Sequence, residues 1–193
     1  VVVIADSFDE MLRNLQTVFD RFRVAKLKLR PSKCVLFSKE IEFCGHVISE
    51  SGRHLAASRT ACLDDLTFPK DIHGLRRLIG FFSYNRVYID HFADLIEPLV
   101  RMTRRGAIIE PTPEACDSFA HLKSAMRSAP VLAMVRDTGD FVLDTDASLF
   151  ALGAALHQYQ DGKLRCIEFA SRALSKHERN YCTTRREVLA IIF

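Results

Sequence analysis

No two of the six cysteines (Cys34, Cys44, Cys62, Cys116, Cys166, Cys182) form a C-x-x-C pair, and the seven histidines are equally dispersed. That spacing argues against a zinc knuckle and a disulfide framework, and leaves reduced, buried thiols as the expectation. No apolar run approaches the ~18 residues of a membrane-spanning helix, and no secretory pattern leads the chain. Excess charge is scarce too. The 27 basic and 24 acidic residues leave a net +3, too little to imply a nucleic-acid partner from bulk charge alone. There is no internal repeat and no low-complexity stretch. Val1 opens in an apolar run without an initiator Met, and Phe193 closes inside a helical pattern. A soluble, intracellular piece of something longer is expected.

What is present is apolar content sufficient for a core, 48% of 193 residues, which suits one or two domains. Val1–Ile4 reads as a buried strand. Ser7 and Glu10 form a capping-box pattern ahead of Phe8, Met11, Leu12, Leu15, Val18, Phe19 and Phe22 at helical spacing, predicting a helix over Phe8–Lys26. Short strands are expected at Leu27–Leu29, Val35–Phe37 and Ile41–Ile48, punctuated by Pro31, Gly45 and Gly52. Asp71 can cap a helix striped by Ile72, Leu75, Leu78, Ile79 and Phe82. Another helix covers Phe92–Thr103, bent or restarted at Pro98. Gly106 and Pro111-Thr112-Pro113 mark a boundary, after which Thr112 caps a helix that buries Ala115, Phe119, Leu122 and Met126 and ends at Pro130.

From Phe141 the period falls to two, with Val142, Asp144 and Asp146 on one face of a strand. Ala151–Gln158 and Leu164–Phe169 are joined by the hairpin turn Asp161-Gly162. Helical pattern resumes after Ser175 and after Thr184, bringing in Glu187. Acids on a strand facing an acid on a helix are what a two-metal phosphodiester-cleaving site requires. Thr184-Arg185-Arg186-Glu187 also reads as a capping box. Asp144 reads as a solvent-facing acid and Glu178 as the structural partner of Ser175. Two basic sets stand out: Arg21, Arg23, Lys26, Lys28, Arg30 and Lys33, then Arg76, Arg77, Arg86, Arg101, Arg104 and Arg105. A solvated helix face explains either set as well as a binding surface does.

Leu27-Lys28-Leu29-Arg30-Pro31-Ser32-Lys33-Cys34, Phe43-Cys44-Gly45-His46-Val47-Ile48-Ser49, Leu75-Arg76-Arg77-Leu78-Ile79-Gly80-Phe81 and Ala129-Pro130-Val131-Leu132 occur in that order. They are followed by Asp144-Thr145-Asp146-Ala147-Ser148, Gly153-Ala154-Ala155-Leu156, Ala170-Ser171-Arg172-Ala173-Leu174-Ser175 and Glu187-Val188-Leu189-Ala190. In this order and spacing the chain resembles the Pol polyprotein of gypsy-type LTR retrotransposons over essentially its whole length. It departs from the family pattern at Cys44, where Leu is usual, and in having no Trp ahead of Thr112-Pro113.

The resemblance implies an α+β chain. Residues 1–66 would be the end of a reverse transcriptase palm with its primer grip, 67–110 a helical thumb, 111–138 a connecting segment and 139–193 the first part of an RNase H-like α/β domain. It implies Asp146 and Glu187 as catalytic, metal-holding carboxylates for Mg²⁺ (or Mn²⁺), since hard cations favour oxygen ligands. It implies nucleic-acid contacts from Lys28, Arg30, Lys33, Gly45, His46, Arg76, Arg77 and Arg86, with phosphate contacts positioning a duplex rather than reading it. The partners would be an RNA–DNA hybrid and primer–template, without a membrane, and protease and integrase domains of the same polyprotein, in the cytoplasm or a virus-like particle. The paired polymerase aspartates and the further RNase H acids of the family are not in the sequence, so this piece alone is expected to be inactive. The alternative is a decayed or co-opted binding remnant.

Overall fold

Two antiparallel three-stranded sheets, each in simple meander order, flank a group of helices. The computed structural model describes residues 1–104 and 109–193; Arg105 and the expected break at Gly106 lie outside them. The first sheet is β1 (Glu40–Phe43), β2 (His46–Ser49) and β3 (Gly52–Leu55); the second is β4 (Phe141–Ala147), β5 (Ala151–Gln160) and β6 (Lys163–Ala173). The helices are α1 (Phe8–Val24), α2 (Ala57–Asp65), α3 (Ile72–Tyr84), α4 (Phe92–Arg101), α5 (Pro113–Arg127) and α6 (Thr183–Ile192).

Side-chain caps start three of these helices. Ser7 Oγ accepts the Glu10 N–H at 3.2 Å, Asp71 Oδ1 the Gly74 N–H at 2.6 Å, and Thr112 Oγ1 the Ala115 N–H at 3.2 Å. The Glu10 carboxylate reaches back to the Asp6 N–H at 3.1 Å, closing the expected capping box one residue early. Pro98 lies inside α4, which runs through it without a restart. Nothing in the sequence announces α2. Its N-cap, Ala56, has no side-chain acceptor, so there is no start signal there.

Three expected strands are absent. Val1–Ile4, Leu27–Leu29 and Val35–Phe37 are irregular. A strand exists only with a neighbour to receive its N–H and C=O groups, and among the described residues no strand lies beside these runs. The single strand expected over Ile41–Ile48 is a hairpin. Cys44 and Gly45 both take positive φ, 54° and 81°, the geometry of a tight two-residue turn between β1 and β2. Asp161-Gly162 makes the matching turn between β5 and β6, as its sequence indicated.

One core fills the space between the sheets. Leu63, Leu75, Phe82, Leu99, Leu122, Met126 and Leu132 are fully enclosed, with Leu55 of β3 beside them and Cys166 and Phe169 of β6 packed against the cluster. The Phe119 ring, half-buried, meets Phe82 and Phe68 edge-on, with centroids 6.2 and 6.0 Å apart. A smaller cluster of Leu152, Leu174 and Ala190, with Ala147 and Leu189, fastens α6 to the second sheet.

The two sheets also touch through backbone. Arg53 and Leu132 exchange N–H···O bonds of 2.7 and 2.9 Å, and the next residue, Ala133, donates to the Cys166 carbonyl at 2.7 Å. Gly52 makes this approach possible. Its φ is +129°, and a Cβ there would stand 2.2 Å from the Leu132 oxygen.

Replacing Phe82 with Ala is expected to lower stability by about 3–5 kcal/mol, because the ring sits in a core with little freedom to collapse. Urea unfolding followed by circular dichroism measures it, and a loss below about 1 kcal/mol would contradict this account of the core.

Candidate nucleic-acid interface and carboxylate pair

The hairpin tip at Gly45-His46 is held from behind by aromatic side chains. His46 stacks on Tyr84 and Tyr88, at centroid distances of 5.4 and 5.5 Å, and its Nδ1 lies 3.0 Å from the Tyr88 hydroxyl. Tyr84 donates its hydroxyl proton to the Cys44 carbonyl at 2.8 Å, and the Arg59 guanidinium lies over the Tyr84 ring. Burial, then the charges of Arg53 and Arg59, lower the His46 pKa below its ordinary value. The imidazole therefore stays neutral at neutral pH and works as a packing and hydrogen-bonding piece. A Cβ on Gly45 would meet Arg59 Nε at 2.4 Å, so the bare backbone at the tip is also what lets Arg59 lie there.

On α3, Leu75, Leu78 and Phe82 point into the core while His73, Arg76, Arg77, Gly80 and Tyr84 are exposed. Spacings of three and four place these five on one outward face. Among the described residues, neither Arg76 nor Arg77 has an acidic partner within ion-pair distance, and Gly80 leaves open space between the arginines and Tyr84. The stripe ends at the hairpin tip, through Tyr84. Thus Arg76, Arg77, Gly45 and His46 belong to one continuous surface. Arg86, exposed in the short 3-10 turn Arg86–Tyr88, follows directly. Lys28, Arg30 and Lys33 are exposed on the irregular run between α1 and β1, and among the described residues no side-chain hydrogen bond or ion pair joins them to this surface. Tyr84 and Arg59 are site residues that sequence reasoning misses. The signal available for Tyr84 is its spacing from Arg76, Arg77 and Gly80; for Arg59 there is none.

Asp146 lies near the end of β4, directly opposite Gly153, which in turn is opposite Ser171. Opposed residues share a sheet face. The His91 ring packs where a Gly153 Cβ would point, and Ser171 Oγ accepts the Ala93 N–H at 3.0 Å, so the start of α4 covers this face. Glu187 is carried by α6, which packs on the opposite face through Ala147 and Leu152. The two carboxylates can meet only around the end of β4. Both are exposed, and among the described residues neither has a hydrogen bond or an ion pair. Asp144 Oδ2 instead lies 3.3 Å from His157 Nδ1.

The position of α6 is set by Arg186, which no sequence motif singles out. It is buried and donates from Nη1 to the Ser148 carbonyl at 2.7 Å, tying the helix start to the β4–β5 turn. Ser148 organises that turn. Its Oγ accepts the Phe150 and Ala151 N–H groups at 3.0 and 2.8 Å and donates to Asp94 at 2.7 Å. Because α6 begins at Thr183 with Cys182 as its cap residue, Thr184 is already helical and the expected Thr184–Glu187 capping box does not form. Among the described residues no group of three or more His, Cys, Asp or Glu side chains comes together. Asp146 and Glu187 have the right chemistry for a hard divalent cation but are too few to enclose one.

Glu178 is structural, as expected. It accepts the Ser175 N–H at 2.7 Å while Ser175 Oγ accepts the Glu178 N–H at 3.3 Å, and Arg172 donates to both its oxygens at 3.0 and 3.2 Å. The Arg172 bonds first, then those of Ser175, lower its pKa to about 2.

These elements have counterparts among known proteins. Residues 112–193 match the RNase H-like domain found in reverse transcriptase. The chain is 35% identical, over 99% of its length, to the retrovirus-related Pol polyprotein from transposon 412 of Drosophila melanogaster, of which it covers 15%. It is 31% identical over its full length to the Pol polyprotein from transposon opus of the same fly, covering 20% of that protein. Against the transposon Tf2-3 polyprotein of Schizosaccharomyces pombe it is 28% identical over its full length and covers 14%. The chain therefore spans a fifth or less of these relatives. Among solved structures, the foamy viral protease-reverse transcriptase in complex with RNA/DNA hybrid superposes with a TM-score of 0.80 at 22% identity, over 98% of this chain and 26% of that one. The same enzyme in its dRH form with double-stranded DNA gives 0.79 at 23%, over 97% of this chain and 33% of that one.

The architecture is thus the mixed α/β arrangement of palm, thumb and RNase H elements seen in a reverse transcriptase. Over its whole length the chain is thus similar to retrovirus- and retrotransposon-related Pol polyproteins, in their reverse transcriptase–RNase H region.

The Glu178 cap carries a pH signature. Its pKa is lower in the folded chain than the ordinary 4.5. Its contribution is complete above that ordinary value and disappears as pH falls toward about 2. Glu178→Gln is therefore expected to destabilise at pH 7 and to match the unaltered chain near pH 2. Denaturant midpoints measured across that range check it, and a pH-independent difference would contradict it.

Proposed function

We propose that this chain is the duplex-gripping and RNase H-initiating region of a retroelement Pol polyprotein. The whole polyprotein would carry out RNA-directed DNA synthesis and degrade the RNA strand of RNA–DNA hybrids. One observation supports the reading above all: similarity to Pol polyproteins runs collinearly from end to end, across 99% of the chain for the transposon 412 relative. In this reading residues 1–66 are the end of the palm, 67–110 the thumb, 111–138 the connecting segment and 139–193 the first part of the RNase H-like domain.

The α3 stripe of Arg76 and Arg77, with Arg86, lies along the backbone of a duplex, while the Gly45 tip, with the Arg59 guanidinium lying over it, faces the strand. His46 and Tyr84 hold that tip in shape. Lys28, Arg30 and Lys33 add phosphate contacts from the run ahead of β1. An A-like hybrid is gripped this way by shape and backbone, without reading sequence. The foamy viral enzyme in its hybrid complex is a relative in fold, which makes a hybrid the first ligand to test.

Asp146 and Glu187 serve as catalytic acids and metal ligands. Bound Mg²⁺ (or Mn²⁺) would supply an activated water and charge stabilisation at the leaving oxygen. The chain's own part is to hold the two acids at the end of β4, Asp146 through the sheet register and Glu187 through the Arg186–Ser148 tie. With no third acid beside them among the described residues, no cleavage step follows from this chain alone. The second reading is a decayed or co-opted binding remnant without catalysis. The polyprotein setting also brings protease and integrase domains as partners, in the cytoplasm or a virus-like particle. Among the described residues, no helix is long and apolar enough to cross a membrane.

Fluorescence anisotropy with a labelled RNA–DNA hybrid tests the grip. Replacing Arg76, Arg77 and Arg86 together with Ala is expected to weaken binding and to lower the slope of log K against log salt by roughly 2 to 3, one for each phosphate that no longer meets a cation. An unchanged slope would remove these arginines from the interface. With Mg²⁺ added, the chain is expected to leave the hybrid uncut. Cleavage that Asp146→Asn abolishes would overturn the predicted inactivity while upholding the assignment of Asp146.

A further inference from the structure

The hairpin tip and the β4 carboxylate sit on different sheets, separated in sequence by four helices. Units joined in this way are free to move against each other unless the contact between them is extensive. Here the contact is specific. The stretch Val131–Ala133 lies between β3 and β6, bonded through Leu132 to Arg53 on one side and through Ala133 to Cys166 on the other. Side chains repeat the connection. Arg53 Nη2 donates to Glu168 Oε2 at 2.9 Å and to the Ile167 carbonyl at 3.4 Å, and Arg165 Nη2 donates to the Ser51 carbonyl at 3.1 Å. Leu132 is fully buried and Gly52 is enclosed at the crossing.

We infer that this crossing is a spacer that fixes the distance between the hairpin tip and the end of β4. Three features distinguish it from ordinary packing. The bonds are backbone to backbone, so they set position along the strands as well as proximity. They run through one short stretch of chain that touches both sheets in successive residues. Gly52, moreover, admits the crossing only in a left-handed conformation and with no side chain, so the contact has one geometry available. Gly52 and Arg53 are positioning residues for both sites, although neither lies in either. The functional meaning rests on the reading of the tip as a duplex grip and of Asp146 as a catalytic acid. The spacing itself does not.

Pulsed electron paramagnetic resonance on the whole chain tests this without nucleic acid or metal, and so its result is separate from that of the binding experiment. Spin labels go on Cys44, exposed at the tip, and on Leu149→Cys, exposed just after β4, with the other cysteines replaced by Ala. One narrow distance distribution is expected, widening about twofold in Gly52→Ala as the crossing is lost and only the shared core still holds the two sheets. Hydrogen exchange on the same variant should show β2 and β5 still protected while the Arg53 and Leu132 amides lose protection. If Gly52→Ala does not fold, Arg165→Ala combined with Glu168→Ala removes the Arg165–Ser51 and Arg53–Glu168 bonds and leaves the backbone bonds intact, with a smaller widening expected. A broad distribution in the unaltered chain, or an equally narrow one in every folded variant, overturns the inference.

Discussion

A three-stranded sheet needs a hydrophobic face packed against something else, and the described residues form two such sheets. The constraint that shapes everything else is that both sheets draw on a single helical core. Phe82, Leu99, Leu122 and Met126 come from helices, Leu55 from the first sheet, and Phe169 from the second. Helices α3, α4 and α5 are therefore a filling shared by two layers. Their outer faces are what remains for contact with anything else. The cationic stripe of α3 exists because its other face is committed to Leu75, Leu78 and Phe82.

The same constraint explains the placement of the two acids. Each face of the second sheet is covered near the end of β4, one by the start of α4 and the other by α6, while Phe141 and Leu143 at its other end stay exposed. Asp146 and Glu187, on elements of opposite sides, could share a ligand only around the end of β4. An open end of a sheet flanked by helices is a place where charged groups stay hydrated without disturbing a core. The buried Arg186 is the cost of fixing α6 there, with its Nε left without a partner among the described residues.

Much of this is legible in the sequence, in proportion to how local the cause is. Ser7, Asp71 and Thr112 announce their helices because a cap acts within three residues. Asp161-Gly162 announces its hairpin because the turn geometry requires those residue types. Strands are harder. Leu27–Leu29 alternates as well as any strand but has nothing beside it, and pairing is a property of distant chain. The apolar run Ile41–Ile48 hides a turn because Cys44 is not a turn residue by composition; only Gly45 hints at it. Among the candidate site residues, Asp146, Glu187, Arg76 and Arg77 are proposed from their motifs. Arg59 is not, because its neighbour across the tip comes from elsewhere in the chain. The resemblance assigns His46 to contact with nucleic acid, and the tyrosines around it give it a structural duty that no local pattern encodes.

The helix α1 obeys every rule of an amphipathic helix except the last. Its apolar stripe is present and its cap is in place, yet none of its residues is buried, and Phe8, Leu12, Phe19 and Val24 face water, with Phe37 resting against Phe8. In colloidal terms this face, taken by itself, is an attractive patch. Weak net charge offers little repulsion to offset it, so pairwise attraction between molecules grows with salt rather than fading. Concentration and ionic strength thus become variables of the molecule's physical state, and dilute, low-salt solution is the regime in which its fold is seen one chain at a time.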